Sequence, residues 1–126
     1  MKRYSPFKAP DAAEWLAMDE GERVALAEDY HRRKRVPLPS PMAHAAFHAI
    51  VENQIALGVT AVVETLARLQ EEGLDRHDAV HAICSILCEF VYSVLKGTPY
   101  ALEGEAQKEY ENRLKVLTAR SWHSGG

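Results

Sequence analysis

An all-α fold, a bundle of five or six helices with no sheet, is what this 126-residue sequence predicts. Three observations carry that expectation. Apolar residues recur three and four apart over most of the chain, which is the period of an amphipathic helix. Capping residues and glycines punctuate those runs where helices would start and stop. No segment of four or more residues alternates apolar and polar side chains as a half-buried strand would.

Residues 1–9 read as an extended N-terminal tail, 10–120 as a single helical domain and 121–126 as a C-terminal tail. Asp11 followed by Glu14 is a capping pair that opens a short helix carrying Trp15 and Leu16. Asp19 with Glu22 repeats the signature and opens a second helix to about Arg35, with Val24, Ala27 and Tyr30 on one side. Val36-Pro37-Leu38-Pro39-Ser40-Pro41 cannot be helix interior, because each proline removes a donor and restricts the residue before it. This stretch reads as a stiff linker. Ser40 then caps a third helix with Pro41 at its first position, running to about Leu57 and closed by Gly58. A fourth helix covers about Thr60 to Glu72, with Val62, Val63, Leu66 and Leu69 as its stripe and Gly73 after it. Asp75 and Asp78 cap a fifth helix that reaches Lys96 before Gly97. Thr98-Pro99 restart the chain, and Leu102, Ala106, Tyr110, Leu114 and Leu117 mark a last helix.

Hydrophobic residues make up 47% and charged residues 26%, a balance that suits one packed domain and not a disordered chain. The net charge of −3 disfavours nucleic acid as a partner. The one basic run, His31-Arg32-Arg33-Lys34-Arg35, is read as cations complementing a helix C-terminus. No run reaches the roughly 18 to 20 uninterrupted apolar residues of a spanning helix, so no membrane partner is expected. The opening MKRYSPFKAPDAAEW has no apolar stretch after its basic residues, so the expected location is the cytoplasm. Cys84 and Cys88 lie four apart in a helical pattern and read as small buried or metal-capable thiols, not as a disulfide. Trp15, Tyr30, Phe47, Phe90 and Tyr110 read as core.

The residues that carry chemistry lie on two helices. At about 100° per residue, Phe47, Ile50, Val51, Ile55 and Leu57 define the apolar arc of the third helix. His44 falls inside that arc, His48 on its shoulder and Glu52 one step further round, while Gln54 points inward. On the fifth helix Val80, Ile83, Leu87, Val91 and Val94 form the stripe, with His77, His81, Cys84 and Cys88 along one shoulder. His77-Asp78-Ala79-Val80-His81 has the spacing of the H-E-x-x-H metallopeptidase helix, with the shorter Asp in the Glu position. A third ligand, His48 or Glu52, would come from the third helix if it packs antiparallel on the fifth. A di-iron site is disfavoured, since only Asp78-x-x-His81 approaches the Glu-x-x-His it requires. Cys84 and Cys88 lie away from a helix N-terminus, which disfavours a nucleophilic thiolate.

The expectation is thus a polar site between two helices for a divalent transition metal. His48, Glu52, His77 and His81 are its ligands, and His44, Gln54, Arg76 and Asp78 surround them. Mixed nitrogen and oxygen donors suit zinc, iron or nickel alike. The alternative is a non-catalytic interaction module, such as a homodimer, whose histidines only satisfy hydrogen bonds.

Two segments carry a resemblance. His44-Ala-Ala-Phe-His48-Ala-Ile-Val-Glu52-Asn53-Gln54 and Gly73-Leu74-Asp75-Arg76-His77-Asp78-Ala79-Val80-His81-Ala82-Ile83 resemble a family of small bacterial proteins classed as a domain of unknown function. The similarity runs from about Glu22 to Lys96. That family pairs an H-x-x-x-E-x-Q segment with an R-H-[DE]-A-x-H segment, here His48, Glu52 and Gln54, then Arg76, His77, Asp78 and His81. The resemblance implies an all-helical fold and marks these residues, and it names no reaction.

Overall fold

The computed structural model describes residues 3–33, 41–97 and 104–125, with backbone alone at positions 31, 33, 41, 42 and 123–125. Seven helices lie among them: α1 (Ala12–Ala17), α2 (Glu20–Arg33), α3 (Pro41–Ala56), α4 (Thr60–Glu71), α5 (Arg76–Leu95), α6 (Glu105–Val116) and α7 (Ala119–Gly125). No strand occurs among the described residues, and the fold is all-α. The end of the second helix at Arg35, the linker with its Ser40 cap, and the restart at Thr98, Pro99 and Leu102 lie outside the described residues.

The aspartate caps form as the spacing requires. Asp11 accepts from the amide of Glu14 at 3.0 Å, Asp19 from Glu22 at 2.8 Å and Asp75 from Asp78 at 2.8 Å. Each satisfies one donor that a first helical turn leaves unpaired. The helix ends follow the sequence equally well. Gly58 (φ 71°) and Gly73 (φ 109°) take the left-handed conformation. Val59 then donates back to the Gln54 carbonyl and Leu74 to the Leu69 carbonyl, the six-to-one bond that only a left-handed residue permits.

The chain forms two compact units, Met1–Val59 and Thr60–Gly126. In the first, α1 and α2 pack against α3. Its core gathers Tyr4, Trp15, Ala27, Tyr30, Ala45 and Ala49. In the second, α4, α5 and α6 pack against one another. α3 and α5, expected to pack together, belong to different units, and each has helical neighbours within its own. Among the described residues α5 alone is a single helix long and apolar enough to cross a membrane, by length and composition. Seven of its residues between Arg76 and Leu87 are buried positions.

Three features depart from expectation. The N-terminal segment is extended, but Tyr4 is only 1% exposed and packs on Trp15 at 5.6 Å and edge-on to Tyr30 at 6.2 Å. A ring that size supplies more core area than the alanines around it, which is why a segment without helical periodicity is drawn in. At the other end, where a tail was expected over 121–126, α7 runs through 121–125. Thr118 Oγ1 accepts from the Ser121 amide and Ser121 Oγ from the Thr118 amide, both at 2.9 Å, and the Ala119 amide donates to Glu72 Oε1 at 2.8 Å. These bonds satisfy two first-turn donors, those of Ala119 and Ser121, and let the helix restart after α6. Finally, Trp15, Tyr30 and Tyr110 are core residues as expected, while Phe47 and Phe90 are half-buried.

Candidate functional site

On α3 the buried face differs from the expected arc. Ala45, His48, Ala49, Val51 and Glu52 are buried, whereas Ile50 and Leu57 are exposed. α3 is apolar or small nearly all round, so its pattern alone sets no face. The buried face meets α1, α2 and Tyr4. The Tyr4 hydroxyl donates to Glu52 Oε2 at 2.5 Å and lies 3.3 Å from His48 Nδ1. His48 and Glu52 are 0% and 1% exposed, so the two most polar groups of the ladder occupy the middle of the buried stripe. Such groups are tolerated inside only when tied by hydrogen bonds. His44, one turn earlier, is half-buried with its ring 4.8 Å from that of His48. Gln54 is half-buried.

A second polar knot joins α1, α2 and α3. Asn53 Oδ1 accepts from the Trp15 indole N–H at 2.8 Å and from Arg23 Nη1 at 3.0 Å, and Arg23 Nη2 donates to the Leu16 carbonyl at 2.9 Å. These bonds fix the helices that carry the Tyr4 pocket.

On α5 the expected pair comes together. His77 and His81 are half-buried, with ring centroids 4.2 Å apart and their Nε2 atoms facing across 3.2 Å. The spacing follows from helix geometry, since side chains four apart share a face. At most one proton fits on the line between two such nitrogens, so at least one presents a lone pair. Arg76 is buried in the first turn, and Asp78 is half-buried with its amide on Asp75. Cys84 is buried, Cys88 is exposed, and neither forms a disulfide. Of the two thiols read as small buried or metal-capable, only Cys84 is buried.

Other surfaces offer less. A groove of about 380 Å³ between α4 and α6 is lined by Glu64, Arg68, Glu111 and Lys115 among others. Another of about 500 Å³ is lined by Arg3, Lys8, Asp11 and Glu14 among others. Among the described residues, no histidine or cysteine lines either groove. In the basic run, Arg32 reaches Glu28 and Asp29 of its own helix at 3.8 and 3.7 Å, as a solvated face does.

Tyr4 is the member of this buried polar cluster that the sequence did not reveal. It has no periodic neighbours to mark it. The usable signal was chemical: a histidine and a glutamate on a core face require a hydrogen-bonding partner from somewhere. Fold and side chains together define an all-α protein with paired imidazoles beside buried positions. No protein-family model matches the chain, and no curated protein or solved structure does either.

Proposed function

We propose that this chain binds a divalent transition-metal ion, with His77 and His81 of α5 as the chelating pair. The observation that carries the reading is the 3.2 Å separation of their Nε2 atoms. An ion bonded to both nitrogens at about 2.0–2.1 Å across that gap subtends an angle of about 100–106°, near the tetrahedral value of about 109°. Paired imidazole nitrogens suit zinc, iron or nickel alike. Arg76 and Asp78 flank the pair, and we assign them to its surroundings and not to the ligand set. The cytoplasm remains the proposed location, since two thiols without a disulfide suit a reducing compartment.

The test is elemental analysis and zinc titration of tag-free protein prepared without chelator. Stoichiometric zinc is expected, and His81→Ala should lower the affinity at least tenfold while leaving the helical circular dichroism unchanged. Protein that takes up no zinc, iron or nickel would contradict the reading. The imidazole pair would then be a hydrogen bond within an interaction module.

A further inference from the structure

The first unit holds a second pair of imidazoles, and one of them is oriented from behind. A tyrosine hydroxyl has one proton to give. Tyr4 gives it to Glu52 Oε2 at 2.5 Å. Its contact with His48 Nδ1 at 3.3 Å is then one in which the ring donates and the oxygen accepts. The ring proton therefore sits on Nδ1, and in the neutral imidazole Nε2 carries the lone pair. A carboxylate that fixes the tautomer of an imidazole through its far N–H is the arrangement found behind metal-ligating histidines. Here the carboxylate acts through one intervening hydroxyl, and all three side chains are buried. His44 lies one helical turn away, with a ring nitrogen within 4.8 Å of one on His48. Being half-buried, it provides the solvent-facing side of the pair.

We propose that His44 and His48 form a ligand pair for a divalent transition-metal ion, in which Tyr4 and Glu52 fix the His48 tautomer and present its Nε2. The metal rests on the reading given above for α5, and the tautomer does not. Glu52, expected from the sequence as a ligand, becomes the acceptor at the far end of a relay. His44, expected only to surround the site, becomes a ligand. Tyr4 and Glu52 are positioning residues.

The test uses the full chain. Nitrogen-15 spectra of the histidine side chains in metal-free protein should show the Nδ1–H tautomer for His48. In a His77→Ala, His81→Ala double variant, zinc titration should show a remaining site that His44→Ala abolishes. In that background Tyr4→Phe and Glu52→Gln should each weaken the site about ten- to a hundredfold. Glu52→Gln keeps the shape of the side chain if loss of the tyrosine hydroxyl disturbs folding. An Nε2–H tautomer at His48 would overturn the relay whatever the metal does. Zinc binding by the parent chain but not by the double variant would overturn this pair and leave the α5 reading standing. Zinc binding by neither would overturn both.

Discussion

Tyr4 and Glu52, 48 residues apart in sequence, share a hydrogen bond of 2.5 Å inside the first unit. The relationship makes the opening segment part of the core. Its ring packs tilted or edge-on against Trp15, Tyr30 and His48, and its hydroxyl ties the two buried polar groups of α3.

Removing that hydroxyl alone should therefore cost stability. Tyr4→Phe leaves the ring in place but takes a donor from a buried carboxylate, a loss of about 1–3 kcal/mol. Deleting residues 1–9 removes the ring as well and should lower the urea midpoint further. Equilibrium urea unfolding checks both. An unchanged midpoint in the deletion variant would show that the segment is a free tail.

Glu72 makes stability depend on pH in the second unit. Its carboxyl is held below the ordinary value of 4.5, first by the Ala119 amide, then by the side chain and charge of Arg68, with desolvation opposing both. A carboxyl depressed on folding stabilises the fold above its unfolded value, and the contribution is lost as pH falls through the folded value. Docking of the α7 start on the end of α4 should thus weaken below about pH 4.5. Glu72→Gln should lose less stability than the parent chain between pH 7 and pH 3, as measured by urea midpoints. Equal losses in both proteins would contradict the assignment.

What was legible in the sequence was local. The caps at Asp11, Asp19 and Asp75 and the stops at Gly58 and Gly73 each depend on residues three to five apart. A single chain states such relationships directly. The His77–His81 pair is local in the same sense, because four residues along a helix fix its geometry. The buried face of α3 was not legible. Its many alanines make one side as acceptable to a core as another, and the side chosen meets α1, α2 and Tyr4, all distant in sequence. α7 was missed for a smaller reason. Thr118 and Ser121 form a cap without the Glu or Gln that usually announces one, and the bond from Ala119 to Glu72 spans 47 residues.

The α5 imidazoles are proposed to form a chelating bite for a metal ion. The most direct measurement is the visible absorption spectrum of the protein titrated with cobalt(II), which reports coordination geometry. The expected result is the intense band pattern of a near-tetrahedral centre that saturates with added cobalt and falls in His77→Ala to the signal of the His44/His48 pair alone. A spectrum indistinguishable from that of aqueous cobalt throughout the titration would contradict the claim.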